Sequence, residues 1–103
     1  MIYKVLRAAE WAALEAAGET DGAPVDVADG FIHFSTIDQL PGTLERHFAG
    51  EEGLVLAAVD ETAIAGPIRW EPSRGGALFP HLYRRLAMGD VAWARPLMPE
   101  GLP

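Results

Sequence analysis

Asp29-Gly30-Phe31-Ile32-His33-Phe34-Ser35-Thr36 is the stretch that decides how this 103-residue chain is read. Phe31 to Phe34 is a short, strongly β-forming run. Successive strand side chains point to opposite faces, so Phe31, His33 and Ser35 share one face and Ile32 and Phe34 the other. The apolar pair enters the core, while His33 and Ser35 point together off the opposite side. Ser35 and Thr36 fall where the strand meets the start of a helix, a place whose free N–H groups favour anions. A phosphate or ribose suits such a corner. A structural histidine beside an ordinary capping serine is the plainer reading of the same residues.

On the N-terminal side, Ile2 to Leu6 is apolar on both pleat faces apart from Lys4, which predicts a mostly buried strand. Ala8 to Ala17 is alanine-rich, with Trp11 and Leu14 three apart and Gly18 as a stop. That pattern predicts a helix packed through Trp11 and Leu14. Glu19 to Gly30 holds Gly22, Pro24, Gly30 and four acidic residues, and reads as a polar surface loop.

On the C-terminal side, Ser35-Thr36-Ile37-Asp38 has the S-x-x-[DE] form of a helix start. Ile37, Leu40, Leu44 and Phe48 then fall on one helical stripe. Pro41 would break a helix capped at Ser35, so the pattern predicts a turn over 36–39 and a main helix from Leu40 or Pro41, ending before Gly50. Leu54 to Val59 reads as a central strand and Ile68 to Glu71 as a short one. Leu78 to Leu82 contains Pro80 and reads as an edge or irregular extended segment. Met88-Gly89-Asp90 is a turn, and Val91 to Leu97 a last strand whose Pro96 end lies at a sheet edge. The order β-α-β-α-β followed by several short strands predicts an α+β fold, with residues 1–103 as a single domain.

Half of the residues are hydrophobic and 22% charged, a globular balance. No stretch approaches the ~20 apolar residues that span a bilayer. The start, Met1 to Arg7, is too short and too quickly charged for a signal peptide, so a cytoplasmic location is expected. Cysteine is absent, which excludes disulfides, thiolate metal sites and a cysteine nucleophile. The net charge of −7 argues against duplex nucleic acid and against an anionic membrane surface as partners. Between Gly66 and Leu86, however, Arg69, Arg74, Arg84 and Arg85 face only Glu71, so this segment is +3 and the rest of the chain −10. Such a cluster serves either a small anionic ligand or intramolecular ion pairs.

Two further runs concentrate polar side chains. In Arg69-Trp70-Glu71-Pro72-Ser73-Arg74-Gly75-Gly76, Arg69 and Glu71 share a strand face opposite Trp70, and the two glycines permit close approach of backbone to a ligand. A surface ion pair, a glycine turn and a core tryptophan account for the same run. In Leu78-Phe79-Pro80-His81-Leu82-Tyr83-Arg84-Arg85, His81 and Tyr83 alternate onto one face. His33, His47 and His81 would suffice for a zinc ion by number, but nothing in their spacing supports one, and no metal site is expected. The G-x-S-x-G elbow, the Walker A loop and G-x-G-x-x-G are all absent, which argues against a hydrolase triad, an ATPase and a Rossmann dehydrogenase.

Taken together, the run 29–36, Gln39-Leu40, Arg69-Trp70-Glu71 and Phe79-Pro80-His81-Leu82-Tyr83 resemble the motifs of a bacterial domain-of-unknown-function family of about this length, over essentially the whole chain. The resemblance implies an ADP-ribosyltransferase-like fold: small split antiparallel sheets, two main helices and a cleft that binds NAD. His33 and Ser35 resemble the H-x-S/T element with which RNA 2′-phosphotransferases and related ADP-ribosyltransferases hold NAD ribose. Of the His-Tyr-Glu set of diphtheria-toxin-like members, His33 is matched. The clustered polar residues, taken with the resemblance, point to His33, Glu71 and His81 as catalytic residues, and to Ser35, Thr36, Arg69, Arg74 and Tyr83 as ligand-binding ones. The ligand it implies is NAD, another nucleotide or an anionic phosphorylated small molecule. A non-catalytic metabolite- or protein-binding module is the alternative. No feature indicates an oligomeric state.

Overall fold

A computed structural model describes residues 1–64 and 66–97, with the backbone alone described at Arg74. Ile2–Leu6 forms strand β1, Val55–Val59 forms β4 and Val91–Pro96 forms β8, and these pair antiparallel in the order β1-β4-β8. Val55–Val59 is therefore central, as its apolar run predicts, and Pro96 ends an edge strand. Alternation divides the core into two. Ile2 and Leu6 of β1, with Ala57 and Val59 of β4, pack with Ile32, Phe34, Leu82 and Leu86. Leu14 joins them from helix α1 (Ala8–Ala17), with Trp11 packed alongside. Val5 and Leu56 face the other way and pack with Leu40, Leu44 and Phe48, which place helix α3 (Leu40–His47) on that side. Lys4 shares its strand face with Ile2 and Leu6, so its amine is carried into the larger core.

The second three-stranded sheet is antiparallel, in the order β3-β6-β5, from Ile32–His33 (β3), Leu78–Leu82 (β6) and Ile68–Pro72 (β5). Here the expectation for Leu78 to Leu82 is corrected, because this strand is central and not an edge. The β3 ladder ends at His33–His81, and Pro80 lies one residue beyond it, where its carbonyl accepts from the Phe34 N–H at 3.0 Å. The missing proline N–H thus falls outside the ladder. Trp70 points away from Arg69 and Glu71, as alternation requires, yet is 43% exposed and not core.

Glu19 to Gly30 is likewise not a plain loop. Glu19–Thr20 (β2) pairs with Leu86–Ala87 (β7) in a two-stranded sheet, and Pro24–Asp29 is a short helix, α2. Pro24 at its start and left-handed Gly30 (φ 83°) after its end are ordinary helix punctuation. Val25 and Val27 are exposed, so the hydrophobic period that would have shown a helix is absent. The helix-start motif is displaced by one residue as well. Thr36 accepts from the Gln39 N–H at 3.3 Å, and the Gln39 side chain accepts from the Thr36 N–H at 3.0 Å. This capping box opens the single turn Ile37–Gln39, and α3 follows with Pro41 in its first turn.

The result is an α+β fold of small antiparallel sheets with few helices. Among the described residues, no helix is long and apolar enough to cross a membrane.

Candidate functional site

The site is organised by a carboxylate at the start of α2. Asp26 is 1% exposed and accepts four hydrogen bonds. They come from the Ala23 N–H at 2.7 Å, the His33 N–H at 3.0 Å, His33 Nδ1 at 2.6 Å and Lys4 Nζ at 2.9 Å. Lys4 Nζ also donates to the His33 carbonyl at 3.2 Å. One buried acid thereby joins β1, α2 and β3. Burial raises the pKa of the Asp26 carboxyl, but the His33 hydrogen bond and the Lys4 charge outweigh burial and hold it at about 2. Gly22 is needed for this arrangement, because at its φ of 97° a Cβ would collide with the Asp26 carboxylate.

An ionised carboxylate only accepts, so His33 donates from Nδ1 and its neutral ring keeps a lone pair on Nε2. Nε2 lies 2.9 Å from the half-exposed Asp29 carboxylate. That contact becomes a hydrogen bond only when the imidazole carries both protons.

His81 repeats the pattern on the next strand. It stands opposite His33 in the β3–β6 register, with ring centroids 5.4 Å apart. Its Nδ1 is 2.8 Å from Glu71 Oε1, and the Tyr83 hydroxyl donates to the same oxygen at 2.6 Å. The Tyr83 hydroxyl and then the His81 ring hold the Glu71 carboxyl below its usual range, and Glu71 raises Tyr83 in turn. Phe31 stacks on His81 at 4.0 Å, and the Arg69 guanidinium lies 5.0 Å from the Tyr83 ring centroid.

His33, Ser35 and His81 all line one cleft of about 690 Å³, whose other walls include Lys4, Asp26, Phe34, Thr43 and Phe79. That volume is within the roughly 300–1,000 Å³ of small-molecule sites. The structure thus gathers His33 and His81 directly, with Ser35 on the same cleft and Glu71 and Tyr83 joined behind His81. Ser35 is buried, hydrogen-bonded to Thr43 Oγ1 at 2.8 Å and paired through its backbone with Tyr3. Arg69 packs on Tyr83 and is not in the cleft lining, and Thr36 is engaged in the capping box. The Arg74 side chain lies outside the described residues. Of the arginine cluster, Arg84 pairs with Asp90 at 2.7 Å, and Arg85 pairs with Glu19 at 2.6 Å and Asp21 at 2.8 Å. For those two the intramolecular reading holds. Among the described residues, no three His, Asp or Glu side chains gather to hold a metal ion.

Sequence reasoning missed Lys4, Asp26 and Phe31. A lysine in an otherwise apolar buried strand was the available signal, since a buried amine needs an acid partner.

The arrangement defines a small α+β domain with two carboxylate-held imidazoles on one cleft wall. Residues 5–94 match the family described as "Protein of unknown function (DUF952)", and the chain belongs to that family. It is similar to protein CC0527 from Caulobacter crescentus. The X-ray structure of that protein is 45% identical, covers 99% of this chain and 91% of its own, and superposes with a TM-score of 0.89. Its solution NMR structure, also 45% identical, gives 0.83 over 99% of this chain and 90% of that one. No curated protein matches the chain.

Proposed function

We propose that the cleft is an ADP-ribosyltransferase-like nucleotide site with NAD as its sharpest ligand, in a chain that acts as one cytoplasmic domain. The observation that carries this reading is the buried Asp26 holding His33 at 2.6 Å on the cleft wall, with His81 across from it. Asp26 fixes this imidazole, and a ribose hydroxyl would reach its Nε2 by displacing the Asp29 carboxylate 2.9 Å away. Holding ribose is the role that the resemblance gives to His33 beside Ser35. Glu71 and Tyr83 lie on the same sheet face as His33, which suits a His-Tyr-Glu arrangement. In this reading the bond from the anomeric carbon to nicotinamide breaks with its electron pair leaving on nicotinamide, and water forms the new bond to that carbon and gives up a proton to solvent. Glu71 hydrogen-bonds the ribose 2′-hydroxyl as oxocarbenium charge develops, an interaction stronger in the transition state than in the ground state.

A binding module without chemistry is the second reading. It is favoured by Glu71 Oε1 already accepting from both Tyr83 and His81. Two experiments separate the readings. A thermal-shift series with nucleotides and phosphosugars finds the ligand, since one held at 100 times its Kd adds about 2.7 kcal/mol. NAD hydrolysis above background, abolished by Glu71→Gln, then excludes the binding module. Ligand stabilisation without turnover establishes it.

A further inference from the structure

We infer that His81 Nε2 is the contact for a planar ligand group bearing an NH₂ donor, a primary carboxamide or an exocyclic ring amine. The inference rests on the nucleotide reading of the cleft and adds which chemical group of the nucleotide is selected there.

His81 is 3% exposed, and its buried Nε2 has no hydrogen-bond partner among the described residues. The other nitrogen is committed, because Glu71 accepts from Nδ1 at 2.8 Å and is itself fixed by the Tyr83 hydroxyl. A carboxylate at Nδ1 forces the neutral ring to keep its lone pair on Nε2, so the open position is an acceptor. An acceptor buried without a partner is costly and is normally satisfied by a bound group. The partner must therefore bring a hydrogen.

The surroundings narrow the partner further. Phe31 lies over the imidazole at 4.0 Å with only 18° between the planes and covers that face, so a partner reaches Nε2 at the ring edge. Phe34 and Phe79 supply apolar cleft wall. An anion is disfavoured by the lone pair and by Glu71 behind the same ring. A flat ring lying in the imidazole plane, with its NH₂ edge toward Nε2 and its faces against apolar wall, meets both demands. NAD offers two such groups, the nicotinamide carboxamide and the adenine amine.

The test titrates the protein with NAD, with 3-acetylpyridine adenine dinucleotide, which lacks the carboxamide N–H, and with nicotinamide hypoxanthine dinucleotide, which lacks the adenine amine. The ¹⁵N signal of His81 Nε2 is followed throughout. One analogue is expected to bind at least about tenfold more weakly than NAD and to leave Nε2 unmoved, and its identity names the group. Glu71→Gln frees the tautomer and is expected to remove most of that discrimination while the protein stays folded. Equal affinity for all three dinucleotides, or an Nε2 signal that NAD does not move, overturns the inference while the nucleotide reading survives. If no dinucleotide binds, the nucleotide reading fails, and free nicotinamide and adenosine decide the inference alone. A shift of Nε2 by either sustains it, and no shift overturns it.

Discussion

His33 and His81 stand opposite one another on adjacent antiparallel strands, ring centroids 5.4 Å apart, and each turns Nδ1 to a carboxylate from a different element. Asp26 belongs to α2 and Glu71 to β5. Both rings are thereby fixed on the cleft wall before any ligand arrives, His33 with Nε2 against Asp29 at 2.9 Å and His81 with Nε2 unpartnered among the described residues.

Asp26 carries a structural burden as well. Its side chain is fully buried and that of Lys4 nearly so. Removing one partner of a buried pair leaves the other charge uncompensated, which costs about 3–5 kcal/mol. Urea unfolding is expected to place Asp26→Ala in that range. Lys4→Met is expected to be milder, because Asp26 keeps three other donors.

The acid limb of the stability curve follows from the same group. The folded carboxyl sits at about 2 against an ordinary 3.8. A depressed folded pKa contributes stability that is fully present above the unfolded value and lost as pH falls through the folded one. About 2 kcal/mol is therefore lost between roughly pH 5 and pH 2 in the parent and not in Asp26→Asn, with little change from this group between pH 5 and 8. Unfolding free energies measured across that window check it.

Gly22→Ala would press a methyl group into the Asp26 carboxylate at a φ of 97°. A left-handed alanine alone costs about 1–2 kcal/mol, and the collision adds to it. The variant is expected to lose more stability than that strain alone explains and to shift the His33 imidazole signals. Gly18→Ala, where a methyl meets open space, should cost only the strain.

Thr36 and Ser35 exchange the roles that the S-x-x-[DE] pattern gives them. Thr36→Ala should cost about 1 kcal/mol as a lost cap, with ligand affinity unchanged. Ser35→Ala removes a buried hydroxyl bonded to Thr43 on the cleft wall and should alter affinity. Chemical denaturation and ligand titration of both variants separate the two effects.

Much of this fold is visible in the chain because period and punctuation agree. Ala8 to Ala17 ends at Gly18, and Val55–Val59 is continuously apolar because sheet neighbours and core enclose it. The alternation places Ile32 and Phe34 in the core as expected, although Phe34 also reaches the cleft wall beside His33 and Ser35. What was hidden depends on contacts distant in sequence. Lys4 and Asp26 are twenty-two positions apart, and only folding shows that an amine in β1 needs an acid from a segment that reads as loop. Pro80 marks an edge by composition, yet β3 stops one residue short of it, so the proline is tolerated in a central strand. The pairing of His81 with Glu71 comes from strand register, which spacing alone does not supply.

Isothermal titration with NAD, run on the parent and on a folded His33→Ala variant, tests the central claim most directly. The account predicts measurable binding to the parent and at least about tenfold weaker binding to the variant, the loss of one well-placed hydrogen bond. No heat from either protein at millimolar NAD, or the same affinity in both, would contradict it.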